Sequence, residues 1–413
     1  MSTSQIEEIQ SLLEQFHIWL EAYGQTSQDP YDFMVSSYGQ WARSLYYRSP
    51  LLGIIPVAPL VFLELFAPSL GKWFSPRRRF PIVDAHYAMG FVYLFQATGR
   101  SEYYIKAREY LEILKKSRCP GYKYYCWGYP FDWVNVSGIC KAYTPLITTT
   151  PYVYEAFAAV YDLQEEDDQW LDIMHQIAEH VLHDIRDKEV APGACSCSYS
   201  PANKRQGVVN ASAYRTFLLA EASHRFSDNE YWRVGEKNLN FVLESQQPDG
   251  SWFYAMDGKD RFIDHFHTCF VIKNLIKVER LVHDTRCKEA IEKGVDYYLS
   301  NLIDANGLPK PFAIAPRLVL YRRDLYNYAE SINLGLLLRR QFEAFNSILE
   351  SQLKDLTTRW KKPDGSFRSR QLLFGWNNVP YHRWAQSQLF RSLSLWLNLE
   401  QQDYKRRRKL GGI

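Results

Sequence analysis

Uninterrupted apolar runs are what this chain most conspicuously lacks. The one candidate, Leu51 to Leu70, is broken by Pro56, Pro59 and Pro68, carries Glu64, and barely reaches the roughly 20 residues that a membrane span requires. It reads as a buried or interfacial segment. Its basic flanks, Arg43, Arg48 and Lys72, keep peripheral membrane contact as a secondary expectation. Export through a secretory leader is not expected, because MSTSQIEEIQSLLEQF has acids and helical periodicity where a signal peptide needs basic residues and an apolar core. The expected setting is cytoplasmic, membrane-peripheral at most. Cysteine is sparse, with seven residues at scattered spacings. None forms a C-x-x-C pair of the kind that builds zinc knuckles, and Cys195 and Cys197 are too close to bridge. The formal net charge is only +3, which gives no reason to expect nucleic acid as a partner. Two local basic clusters, Arg77 to Arg79 and Lys405 to Lys409, read as solvated charge, and residues 403–413 as a disordered tail.

What is present is a globular core and an excess of aromatic residues. At 46% hydrophobic and 23% charged the composition excludes general disorder. Aromatics reach 15%, and many lie in loops between apolar runs, which points to a lined cleft.

The apolar runs repeat. From Asp84 a helix AHYAMGFVYLFQATG ends at Gly99, and Ser101 opens a second, EYYIKAREYLEILKKS, with charges on one face. Pairs of this kind recur, and their first members begin near 84, 148, 209, 264, 326 and 381, a spacing of roughly 55 to 64 residues. First helices are apolar nearly all round and second helices are amphipathic, as expected of an inner ring wrapped by an outer one. The sixth inner helix lacks a following partner, and the N-terminal helices within 4–48 can supply it. The chain therefore predicts a single all-α domain over 1–413, an (α/α)6 toroid. Long aromatic loops leave the outer helices and lead to the inner ones, so they gather at one mouth.

Polar residues at the inner-helix entrances are the candidates for chemistry. They are Asp84 and His86; Tyr129 and Asp132; Asn210; Asp264, His265 and His267; Asn327 and Glu330; Tyr381 and His382. Carboxylates, imidazoles and phenols on an aromatic cleft suit proton transfer on a polar substrate. Asp84, Asn210 and Asp264 also sit where helix N-caps belong. Asp132 lies in the aromatic loop WGYPFDW, where Trp127, Tyr129 and Trp133 offer faces for sugar rings. Arg215 and Arg317, with Asn210, are candidates to neutralise a substrate carboxylate. QQPDGSW, with Trp252, fits the Q-x-x-x-G-x-W pattern of squalene-cyclase-type repeats, and KKPDGSF is a partial copy. Its expected job is structural: Asp249 and Gly250 make a turn, and Trp252 packs on helix ends. The D-x-D-D acid motif is absent, and Asp167, Asp168 and Asp172 read as solvated capping residues of an outer helix. No metal and no cofactor is expected, because Asp264, His265 and His267 are helix neighbours that do not share a face.

WGYPFDW, TTTPYVYEAF, NASAYRTFLLAEA, PDGSWFY and IDHFHTCFVIKNL, with DPYDFMVSSYGQWARSLYYRSPLLGI, together resemble the six-hairpin glycosidase-like toroid proteins associated with bacterial polysaccharide biosynthesis. The fourth of the inner segments departs from the usual D-N-F-H-T-G by His265 and Cys269. The resemblance implies a toroid and a saccharide context. The resulting expectation is a carbohydrate-active enzyme acting on a polysaccharide or lipid-linked oligosaccharide by acid–base chemistry, as a hydrolase, lyase or uronate epimerase. Asp132, Asp264 and His267 would carry catalysis. Asp84, His86, Trp127, Tyr129, Trp133, Asn210, Trp252, His265, Glu330, Tyr381 and His382 would contact substrate. The alternative is a non-catalytic glycan-binding or assembly factor, and a terpene-cyclase or prenyl-type protein comes last.

Overall fold

The computed structural model describes residues 3–136, 138–164, 168–202 and 206–410, so Asp167 lies outside the described residues. The chain opens with α1 (Thr3–Tyr23), a one-turn α2 (Asp32–Val35) and a hairpin of α3 (Ser37–Arg48) and α4 (Pro50–Phe66). From there helices alternate between two environments. The inner set is α5 (Pro81–Thr98), α7 (Thr150–Gln164), α9 (Val209–Phe226), α11 (His265–Val282), α13 (Leu325–Leu338) and α15 (Ser387–Leu410). The outer set is α6 (Ser101–Lys116), α8 (Asp168–His183), α10 (Asn229–Glu244), α12 (Thr285–Asn301) and α14 (Ala344–Asp355). Residues 81–92, 209–220 and 325–336 are buried without a break, as only helices enclosed on every side can be. The outer α6 instead buries Tyr103, Ala107, Tyr110, Leu111 and Leu114, one face at helical spacing.

Inner helices touch in cyclic order, α5 to α7, α9, α11, α13 and α15, and α15 returns to α5. The outer partner of α15 is α1. The turn chemistry shows why α1 fits there. Gly250, in the PDGSW turn after α10, lies against the backbone of Lys293 on the next outer helix, α12, and has φ +90°. Gly365, in the KKPDGSF turn after α14, has φ +92° and lies against the backbone of Gln15 on α1. The same turn thus packs on the next outer helix in both places. In the second the next helix is α1, which brings the chain ends together.

The loops leading to the inner helices carry short antiparallel ladders that an all-α reading does not anticipate. These are β1 (Trp133–Asn135) with β2 (Gly138–Cys140), β3 (Asp187–Ala191) with β4 (Ala194–Cys197), β5 (Ile263–Asp264) with β6 (Phe312–Ile314), and β7 (Tyr321–Asp324) with β8 (Arg370–Leu372) and β9 (Trp376–Asn377). They splint the mouth. The arginine triplet is not a solvated face. Arg77 donates to the carbonyls of Tyr23 and Thr26, Arg78 pairs with buried Asp32 at 3.3 Å, and Arg79 with buried Asp84 at 2.9 Å, clasping the N-terminal segment to α5. The basic tail continues α15 as helix to Leu410. Among the described residues no helix is long and apolar enough to cross a membrane.

Candidate active site at the mouth of the toroid

Asp264 closes β5 and opens α11 from extended backbone, so both of its oxygens face the first helical turn. Oδ1 accepts the backbone N–H of His267 at 2.8 Å, the ordinary capping bond. Oδ2 lies 2.6 Å from Nδ1 of the same residue. A carboxylate can only accept, so it holds the proton on Nδ1 and leaves the Nε2 lone pair of a neutral imidazole unused. Asp264 is 3% exposed and His267 21% exposed, and among the described residues no group bonds Nε2. The buried acid thus orients a base that solvent can reach.

Aromatic rings surround this dyad. Tyr254 and Phe262 stack on each other at 4.7 Å, with Tyr254 4.6 Å from the His267 imidazole. Phe266 lies 4.4 Å from the same ring and continues to Tyr326 and Trp384, themselves stacked at 4.6 Å. Arg383 ends the row, buried against Tyr129 and Trp384, with Asp29 bidentate at 2.6 and 2.7 Å. Asp324 caps α13 and binds Arg370 at 2.8 Å, which fixes the Trp384 side of the floor. Behind His267 a pocket of about 10 Å³, lined by Asn210, Trp252, Tyr254 and Phe262 among others, has room for about one water. A cleft of about 340 Å³ lies beyond the ladder of Val208 and Ala255, lined by Lys188, Ser196, Gln206, Glu244, Met256 and Asp257. None of the residues anticipated from sequence lines it.

Asn210, whose buried Oδ1 bonds no described residue, lines the small pocket with Asp264 and His267, but most other entrance residues are spent on the scaffold. Asp132 is locked in its own loop, bonded to Lys141 at 2.7 Å and to the Ala142 N–H at 2.8 Å, and the lysine holds its carboxyl below the usual range. Asp84 and Asn210 are not caps, because α5 starts at Pro81 and α9 at Val209, with Phe80 and Val208 at the cap positions. Burial lifts the Asp84 carboxyl to about 6 against the pull of Arg79. Trp127 is fully buried and donates to the Leu114 carbonyl at 2.9 Å, so no ring face is left for a sugar. Trp252 is likewise buried, donating to Val242 and packed on Gly294, as its turn role requires. Trp133 packs in β1 as a partly buried ring against the core.

His265 points away from the mouth. Its Nδ1–H donates to the Lys310 carbonyl, and Nε2 accepts from the Tyr298 hydroxyl, both at 3.1 Å; burial pushes its pKa down to about 3. His382 donates through Nε2 to the Gly24 carbonyl at 2.9 Å and accepts from the Tyr87 hydroxyl at 2.6 Å, and burial takes it down to about 4. Tyr381 is buried beside it, its phenol raised by burial. Arg215, a candidate for substrate carboxylate, is buried on the carbonyls of Val181, Leu182 and Ile185. Arg317 is exposed in the loop before β7.

Glu330 and His86 belong to a buried polar axis below the mouth that the entrance residues do not announce. Glu330 binds Lys273, with Arg391 3.7 Å away, and Lys277 binds Glu155. Arg391 lies over Tyr152, whose hydroxyl meets that of Tyr214 at 2.7 Å. His86 is edge-on to Tyr152 at 4.5 Å, and burial, helped by Arg391 and both lysines, keeps it neutral. Charged residues inside otherwise apolar helices, as in FVIKNLIKVERL, are the signal that marks this axis.

No family model matches the chain, and no curated protein matches it in sequence. Solved structures match it in shape. A cellobiose 2-epimerase from Bacillus thermoamylovorans has a TM-score of 0.59 at 9% identity, covering 76% of this chain and 87% of its own. An unsaturated glucuronyl hydrolase specific for heparin scores 0.58 at 12% identity over 78% and 88%. An α-mannanase of glycoside hydrolase family 76 from Bacteroides thetaiotaomicron scores 0.56 at 11% identity over 92% and 99%. The fold is the (α/α)6 toroid of six-hairpin glycosidases. In this toroid the residues brought together at the mouth are Asp264, His267, Tyr129 and the unanticipated Phe266, Tyr326, Arg383 and Trp384.

Proposed function

We propose that this protein is a carbohydrate-active enzyme that moves a proton at a sugar carbon, as an epimerase or lyase does, with His267 as the base and Asp264 as its orienting partner. The observation that carries this reading is the Asp264–His267 dyad, a buried carboxylate holding a partly exposed imidazole by Nδ1 at 2.6 Å. Glycoside hydrolysis needs two carboxylates free to act on either side of one bond. Here the mouth carboxylates are engaged: Asp132 with Lys141, Asp29 with Arg383, Asp324 with Arg370, and Asp264 with α11 and His267. The half-buried rings of Phe266, Tyr254 and Trp384 supply faces on which a pyranose can stack. Solved structures of the same fold include epimerases and a polysaccharide lyase as well as hydrolases. The resemblance read from sequence sets this chemistry in polysaccharide or glycoconjugate biosynthesis, on a polymer or a lipid-linked oligosaccharide.

The test is incubation of the purified protein in deuterium oxide with neutral and uronate-containing oligosaccharides. Deuterium at a sugar carbon without cleavage, as epimerisation gives, or an unsaturated product absorbing in the ultraviolet, as elimination gives, is expected, and His267→Ala should abolish either. Release of reducing ends with neither carbon exchange nor an unsaturated product would instead place the protein among the hydrolases. Saccharide binding with no turnover would make it a glycan-binding factor.

A further inference from the structure

The hairpin of α3 and α4 carries more apolar surface than its own small core uses. Phe33, Met34, Ala42 and Leu60 fill the inside. The outside presents Leu51, Leu52, Ile54, Ile55, Phe62 and Phe66, all exposed, with Leu51 at 86% and Ile55 at 71%. Leu51, Ile55, Ala58, Phe62 and Phe66 follow the helical repeat and form one stripe along a 17-residue helix, with Leu52 and Ile54 next to it. Gly53 lets α4 press on the backbone of Tyr46, which sets the two helices rigidly and holds this face outward. Trp41 and Tyr47 on α3 and Trp73 just after α4 are also exposed, with Arg43 over the Tyr47 ring and Lys72 over that of Trp73.

We infer that this hairpin is a monotopic docking element for a bilayer surface rich in anionic headgroups. Charge selects that occupant. Between Phe33 and Phe74 the basic residues are Arg43, Arg48 and Lys72, and the single acid, Glu64, is turned inward onto Arg370 at 3.3 Å. An apolar stripe rimmed by tryptophan, tyrosine and basic side chains is what an interfacial helix presents to lipid headgroups and acyl chains. Pairing with a second copy would set this basic rim against itself. Crossing the bilayer is closed to α4, which at 1.5 Å per residue spans about 25 Å, short of the ~30 Å hydrocarbon layer, and contains Pro56 and Pro59. The hairpin is anchored beside the mouth through Glu64 to Arg370 and, in the segment just before α2, through Asp29 to Arg383. Docking therefore brings the aromatic floor near the membrane, where a saccharide carried on a lipid would be presented; only this last point rests on the function proposed above.

The experiment is co-sedimentation of the full chain with vesicles of phosphatidylcholine alone and of equimolar phosphatidylcholine and phosphatidylglycerol. Binding to the anionic vesicles is expected, weakened by salt. Leu51→Asp/Ile55→Asp should abolish it, and Arg48→Gln/Lys72→Gln should lower the partition coefficient about thirtyfold. The altered residues are exposed, so an unchanged circular-dichroism melt is expected of both variants, and exchange activity on soluble oligosaccharide should survive in them. The inference is overturned if neither vesicle binds, if the apolar variant binds as well as the parent, or if light scattering shows a dimer that Leu51→Asp/Ile55→Asp splits.

Discussion

Replacing Asp264 by asparagine should separate its two duties. In the native chain Oδ1 accepts the His267 backbone N–H and Oδ2 holds the imidazole Nδ1. Asparagine caps helices about as well as aspartate, and its one oxygen is claimed by the backbone N–H, which can only donate. The amide nitrogen must then face Nδ1. It too can only donate, so Nδ1 becomes the acceptor and the ring proton moves to Nε2. The stability cost is the loss of a charge-assisted hydrogen bond, about 1–2 kcal/mol. In a chain of 413 residues, with roughly 2.1 cal/mol/K of unfolding entropy per residue, that lowers Tm by only about 1–2 °C. The kinetic cost is much larger, because the base now carries a proton where it needs a lone pair. Exchange at the sugar carbon should fall by about 10² to 10⁴.

Asp264→Ala makes the complementary case. It removes the cap as well, costing about 1 kcal/mol more, yet leaves both imidazole tautomers accessible. The expected order is therefore crossed: the asparagine variant is the less active, and the alanine variant the less stable. Deuterium exchange gives the rates, differential scanning calorimetry the stabilities, and long-range proton–nitrogen correlation spectra the His267 tautomer. If Asp264→Asn keeps activity within about threefold of the parent, or if its His267 retains the proton on Nδ1, the dyad is not the base and the reasoning fails.

Three further outcomes follow from the scaffold. Folded His265 and His382 titrate near 3 and 4, below the ~6.5 of an unfolded histidine, so their stabilisation is full above about pH 6.5 and lost as pH falls. Buried Asp84 and Asp32, raised to about 6 and about 7, oppose this, favouring the fold as pH falls. The measurable quantity is thus a difference: His382→Gln should flatten the urea-derived stability slope between about pH 6.5 and pH 4 by up to ~1.4 kcal/mol per pH unit, and an unchanged slope would contradict the assignment. Gly365→Ala should cost about 2–4 kcal/mol in denaturant melts, because a Cβ there meets the Gln15 carbonyl at 2.6 Å, whereas Gly99→Ala, also at positive φ but with nothing within 4 Å, should cost only about 1. Lys273→Met leaves Glu330 buried without its closest cation and should cost about 3–5 kcal/mol, with Lys273→Met/Glu330→Leu recovering much of it.

The toroid was legible because its signals are local and repeated. Apolar runs at regular spacing, the turn glycines and the aromatic entrance loops each act within a few residues, and the ring needs nothing else to be drawn. The three-stranded ladder at the mouth was not legible, since β7 meets β8 only after the ring has brought Asp324 to Arg370, 46 residues on. The site divides along the same line. Asp264 was readable as a helix-opening acid because its partner, His267, is three residues away and the helix dictates their meeting. His382 stands at an equivalent entrance, but its partners Tyr87 and Gly24 are 295 and 358 residues distant, and they turn the ring inward. Arg383, its neighbour, is held by Asp29 across 354 residues and faces the aromatic floor instead. Residue type at an inner-helix entrance therefore says which chemistry is available at the mouth. Which side chain is left to perform it depends on which carboxylates, carbonyls and phenols the rest of the ring has already spent and on which groups it leaves open to solvent. Of the entrance imidazoles, His86 also lacks hydrogen-bond partners among the described residues but is sealed in the interior, whereas His267 is partly exposed with no described residue bonded to Nε2.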